Sequence, residues 1–132
     1  MIAKGEFTVA VNPQADAQFA AGRLTIDKVY TGDLQANGKG QMLSHRCAIE
    51  GSAGYVAIEK VTGGLHGKQG SFYLQHSGTM YKGEQKLQIH VVPDSGMDEL
   101  VGLQGELMIN IVDGRHFYEF TYSLDAGSNN PL

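Results

Sequence analysis

"GSFYLQHSGTMYKGEQKLQIHVV" (Gly70–Val92) holds two alternating runs separated by Lys82-Gly83, and the alternation has the period of two that a half-buried strand requires. A two-residue turn centred on Lys82-Gly83 sets Leu74 against Val91, His76 against Ile89 and Gly78 against Leu87 on one face. The opposite face then pairs Gln75 with His90, Ser77 with Gln88 and Thr79 with Lys86. The first face is the interior one, because a one-residue slip would exchange the apolar row for the polar row. It carries one anomaly, the imidazole of His76 in an otherwise apolar row.

The same test applies to both neighbouring segments. "DGRHFYEF" opens with Asp113-Gly114, a two-residue hairpin signal, and sets Ile111 against His116, Ile109 against Tyr118, Leu107 against Phe120 and Gly105 against Tyr122 as an inward face. Through "LHGKQG" the simplest turn is centred at Gly67-Lys68, which opposes Val61 to Leu74, Glu59 to His76, Ala57 to Gly78 and Tyr55 to Met80. A carboxylate and an imidazole directly across a strand pair have Cβ atoms about 4.5–5.5 Å apart and can hydrogen-bond. Glu59 is therefore the expected partner that lets His76 sit among apolar side chains.

Extended over the whole chain, this pattern gives about eight strands, near 4–12, 22–31, 33–45, 54–63, 70–80, 84–93, 103–112 and 116–124, with no segment patterned as a helix. Eight antiparallel strands with one apolar face each predict an all-β, closed or nearly closed barrel, with a sandwich as the alternative. The 132 residues suit one domain, 1–132, with a short flexible tail from about residue 126. "ANGKG" and "VTGGLHGKQG" lack the GxxxxGK[ST] spacing of a phosphate loop and are read as turns.

Composition removes several classes of function. The formal charge is −4 and the ten Lys and Arg residues are scattered, so neither a nucleic-acid stripe nor a polybasic membrane patch is expected. No apolar run approaches the ~20 residues of a membrane helix, and the first residues lack the pattern of a signal peptide. A lone cysteine, Cys47, fits a reducing compartment, and a cytosolic location is expected. The five histidines show no compact metal-ligand spacing, and no cofactor is expected. Cys47 itself is read as a small filler beside Arg46 and His45.

Glu59 and His76 are the candidate catalytic pair. In a desolvated cavity, burial would raise the carboxyl pKa and the partner would set the imidazole tautomer, as general acid–base chemistry needs. The alternative is a buried pair that fixes strand register and does no chemistry. Candidate ligand-binding residues are Tyr55, Phe72, Leu74, Tyr118, Tyr122 and Lys28, all on inward rows. Lys28, on the row Leu24, Ile26, Lys28, Tyr30, is expected to snorkel to the rim, with a bond to Glu59 as the alternative. "SGMDELVGLQG" is expected to cross one barrel end, with Asp98 and Glu99 solvated or lining a mouth. Outward Val56, Ile58 and Tyr73, with Met108 and Phe117, point to a homo-oligomer, dimer or trimer.

At "EGSAGYVAIEKVTGGLHGKQGSFYLQHSGTM" and "VVPDSGMDELVGLQGE" the chain is similar to a group of small bacterial proteins of uncharacterised function whose barrels resemble plant allene oxide cyclase. The likeness runs from about Gly5 to Asp125, and Gly96, Gly102 and Gly105 match a glycine-spaced segment of allene oxide cyclases and dirigent proteins. The resemblance implies a barrel. It implies no reaction, because a shared fold does not carry chemistry with it and the cyclase's catalytic residues have no one-to-one match here. Three functions follow as expectations: a barrel that binds a small apolar or organic-acid molecule, a cofactor-free isomerase or cyclase using Glu59 and His76, or a filled barrel serving as an interaction module.

Overall fold

The computed structural model describes residues 1–16 and 18–124, which form an all-β barrel. Its strands are β1 (Ile2–Gln14), β2 (Gly22–Gly32), β3 (Leu34–Arg46), β4 (Ala53–Leu65), β5 (Lys68–Tyr81), β6 (Glu84–Val91), β7 (Met97–Asp98), β8 (Leu103–Val112) and β9 (Arg115–Leu124). The sheet runs β4-β3-β2-β1-β9-β8-β6-β5, and pairing of β4 with β5 closes it; the short β7 lies outside the ring against β5. All pairings are antiparallel, so side chains alternate between interior and surface along every strand. The tail expected from residue 126 lies outside the described residues.

The Lys82-Gly83 and Asp113-Gly114 hairpins have the registers read from the sequence. The hairpin between β4 and β5 does not. Its turn is centred on His66-Gly67, where both residues have positive φ (46° and 83°), so Glu59 faces Leu74, Ala57 faces His76 and Val61 faces Phe72. The pairing is thus displaced by two residues from the expected one, and a two-residue shift leaves every side chain on its expected face. "ANGKG" is also not a turn. It lies within β3, where Gly38 and Gly40 are inward positions opposite Val61 and Glu59.

The interior is packed at one end and open at the other. Along β1 the inward side chains pass from the buried Ala3 and Phe7 to Val11, 42 % exposed. Buried Val91 and Ile89 give way to Leu87, 41 % exposed, in β6, and in β8 buried Leu103 and Leu107 give way to Ile111, 58 % exposed. The packed end holds Leu34, Leu65, Phe72, Phe120 and Tyr122, with the Phe72 and Phe120 rings stacked at 5.8 Å. The segment Val92–Gly102 crosses that end, as the length of "SGMDELVGLQG" suggested. It inserts Leu100, 1 % exposed, and is held by pairing of Met97 and Asp98 with Ser71 and Gly70.

On the outside, Leu43, Val56 and Ile58 form a contiguous exposed apolar group across β3 and β4, close to the expected one. Phe117 differs, being half-buried with the Arg115 guanidinium 5.2 Å over its ring.

A half-filled barrel predicts unequal costs for apolar truncation at its two ends. Leu100→Ala, which empties a fully packed site, is expected to cost about 2–5 kcal/mol in urea unfolding, and Ile111→Ser under about 0.5 kcal/mol. Equal losses would contradict the packing described.

Candidate functional site

Where the packed half meets the open half, one carboxylate organises the interior. Glu59 is 0 % exposed. Its Oε1 accepts hydrogen bonds from Lys28 Nζ at 3.1 Å and His76 Nε2 at 2.9 Å, and its Oε2 accepts from the Tyr30 hydroxyl at 2.5 Å. The donors come from β2 and β5, the strands that flank the β3–β4 pair on either side. Space for the carboxylate comes from β3: a Cβ at Gly38 would lie 2.1 Å from Glu59 Oε2, and one at Gly40 would lie 2.8 Å from Glu59 Cα.

Burial pushes the Glu59 carboxyl upward, but the His76 hydrogen bond, the Lys28 charge and the Tyr30 hydroxyl together outweigh it. The carboxyl is held below its usual value of 4.5 and is ionised at neutral pH. This corrects the expectation of a raised carboxyl pKa, because three donors converge on a group for which His76 was the foreseen partner and Lys28 the alternative one. Burial first, and then the neighbouring Glu59 charge, raises the Tyr30 phenol well above 10, so Tyr30 remains a donor. Lys28 does not snorkel. It is buried against Glu59, with its ammonium 4.9 Å from the centre of the Phe7 ring.

Above this layer the barrel opens into a cup of about 570 Å³. Its walls are inward apolar side chains, among them Val9, Leu24, Ile26, Met42, Leu87 and Ile109. Lys28 and His76 reach the cup, whereas Glu59 is behind them and lines none of it. An ionised carboxylate only accepts, so His76 Nε2 carries the hydrogen that binds Glu59, and in the neutral ring Nδ1 is the acceptor. Among the described residues nothing hydrogen-bonds Nδ1. The polar floor of the cup is thus Lys28 beside His76, whose Nδ1 is not engaged by the described residues.

Of the six expected ligand-binding residues, Lys28 and Tyr55 line this cup. The Tyr55 ring covers Gly78, where a Cβ would come 2.4 Å from its Cε1, and lies 6.5 Å from the His76 ring. Phe72 and Leu74 are in the packed half. Tyr118 is a latch: its hydroxyl donates to Thr31 O at 2.7 Å and accepts from Leu34 N at 2.9 Å, fixing β9 to the β2–β3 turn. Tyr122, also in the packed half, hydrogen-bonds through its hydroxyl to His66 Nδ1. Buried tyrosines need such partners, and these two find theirs away from the cup.

Three further expectations resolve locally. Cys47 is exposed after the end of β3, not a filler. The Glu99 carboxylate accepts from Gln69 N at 2.7 Å at the closed end, so it lines no mouth, and Asp98 is exposed there. His116 lies at the cup wall, its ring 5.2 Å from Phe7. Tyr30 and the glycine pair were not singled out from the sequence. The available signals were Tyr30's place on the Lys28 row and glycines spaced by two within a strand, which leave one face vacant for a neighbour's side chain.

Removing the carboxylate leaves Lys28 buried without its counter-ion. Glu59→Gln is therefore expected to cost about 3–5 kcal/mol near neutral pH. Because the folded state holds the carboxyl below 4.5, its stabilisation is complete above that pH and is lost as pH falls through the lower folded value. The gap between wild type and Glu59→Gln in urea unfolding should narrow from pH 5 downward; a gap that widens in acid would contradict an ionised Glu59.

The family model described as "Protein of unknown function (DUF3224)" matches residues 3–122. A crystal structure at 1.84 Å resolution from Shewanella oneidensis MR-1, of a protein with unknown function from that family, is 46% identical with a TM-score of 0.88. The match covers 94% of this chain and 97% of that one. None of the curated proteins matches. The fold, its closure and the extent of these matches show that the chain belongs to the DUF3224 family.

Proposed function

We propose that this barrel binds a small, largely apolar molecule that directs an oxygen-bearing group onto Lys28 and His76. The observation that carries the reading is the cup itself: inward apolar side chains left partly exposed above a polar floor. Left solvent-filled, such a wall forgoes roughly 25 cal/mol for every Å² of apolar surface that a ligand would cover. Small-molecule sites typically occupy about 300–1,000 Å³ and combine apolar walls with a few convergent polar groups. The volume of about 570 Å³ and the wall composition fit that description.

The floor is suited to orientation. Buried supports hold both polar groups: Glu59 fixes the His76 ring, and Glu59 and the Phe7 ring locate the ammonium. A ligand oxygen meeting Lys28 would find a donor whose position is already set, which lowers the ordering cost of binding.

Val9 lies partway up the wall and is only partly buried, so a larger side chain there would occupy the cup without displacing the core below. Wild type is expected to enhance the fluorescence of N-phenyl-1-naphthylamine, a neutral apolar probe. Val9→Trp should weaken that binding at least about tenfold while the melting midpoint moves by only a few degrees. Unchanged probe affinity in a folded Val9→Trp would contradict binding in the cup.

A further inference from the structure

The charges around the cup are segregated in a way that identifies its occupant more closely. The chain has 14 acidic and 10 basic residues, yet among the described residues no Asp or Glu lines the cup. The titratable groups that do line it are Lys28, Arg46, Lys86, Tyr55 and three imidazoles, those of His45, His76 and His116. Glu59 is the nearest carboxylate to the floor and is covered by the very groups it pairs with. Glu59 offsets the Lys28 charge, so the lining cations without an ion-pair partner among the described residues are Arg46 and Lys86, and their field favours anions at the mouth and disfavours ammonium compounds.

The floor narrows the class again. Lys28 Nζ and His76 Nε2 bind the same oxygen, Glu59 Oε1, so the two side chains are immediate neighbours. The pair offers one strong donor, the ammonium, and at His76 Nδ1 an acceptor when the ring is neutral or a donor when it is protonated. A carboxyl group counted with its proton matches this: one oxygen accepts from Lys28, and the other shares its proton with His76 Nδ1. Wherever that proton resides along the bond, the hydrogen bonds are satisfied. An alcohol could satisfy both positions through one oxygen, but carries no charge for the basic surroundings to attract.

We propose that the cup takes an aliphatic monocarboxylic acid, head inward, with its carboxyl group on Lys28 and His76 and its chain along the apolar wall. This rests on the binding reading above and names its ligand class. The four residue steps from His76 to Met80 at the rim span roughly 13 Å at ~3.3 Å per residue, about the length of a ten-carbon chain. Arg46 and Lys86 at the mouth add attraction for the approaching acid without a fixed contact.

The test is displacement of N-phenyl-1-naphthylamine from wild-type protein by decanoate, decanol and decyltrimethylammonium, which share a chain and differ in head group. Decanoate is expected to act at a concentration about tenfold or more below that of decanol, with decyltrimethylammonium the weakest. Lys28→Met/Glu59→Gln, which removes the buried charges together and so avoids a lone one, should bring decanoate and decanol close to parity. Comparable displacement by decanoate and decanol from wild type would overturn the carboxylic-acid assignment and leave apolar binding standing. Preference for the ammonium compound would overturn it too. Failure of wild type to bind the fluorophore at all would remove the binding reading itself, and this proposal with it.

Discussion

A carboxylate placed in a barrel interior is costly to desolvate, and the arrangement around Glu59 shows what is needed to offset that cost. Two oxygens receive three donors, one cationic, and each donor is itself packed against the barrel wall. The neighbours are arranged to suit: Gly38 and Gly40 vacate the adjoining strand, Tyr30 closes the layer from the packed side, and Lys28 and His76 close it from the open side. Take away the carboxylate and Lys28 has no reason to stay inside. The cup would then lose the polar floor on which its chemistry depends.

The same layer divides the barrel into halves with different tasks. Below it, aromatic and branched side chains fill the interior, and the Val92–Gly102 segment seals the end with Leu100. At the opposite end, where the Lys82-Gly83 and Asp113-Gly114 turns are tight, Val11, Leu87 and Ile111 are exposed. Stability thus comes from one end, so the other can present apolar surface to a ligand. Eight strands are about the smallest ring that can both pack side chains and hold a small molecule, and this chain divides the length of one barrel between the two uses.

The hairpins were legible because their turns constrain the backbone narrowly. Asp113-Gly114 and Lys82-Gly83 each fix a register through positive φ at both central positions, and the inward rows followed. His66-Gly67 makes the same kind of turn one residue before the expected Gly67-Lys68 centre, and the register slipped by two. Since strand side chains alternate with a period of two, Glu59 still met His76, diagonally rather than directly across. What could not be read was depth. Tyr118, Tyr122, Phe72 and Leu74 lie on inward rows like Tyr55 and Lys28, and only the seal at one end separates those that pack from those that line the cup. The Lys28 position depended on contacts between strands distant in sequence, which no local pattern encodes.

The central claim is that Glu59 is a carboxylate ionised at neutral pH, held so by Lys28, His76 and Tyr30 against the burial that would neutralise it. Carbon-13 NMR of the Glu59 side-chain carboxyl, followed through an acid titration of the folded protein, measures this directly. The account predicts the shift of an ionised group throughout the neutral range, with its midpoint below 4.5. A midpoint above that value would mean that desolvation dominates, and would contradict the arrangement on which the cup floor rests.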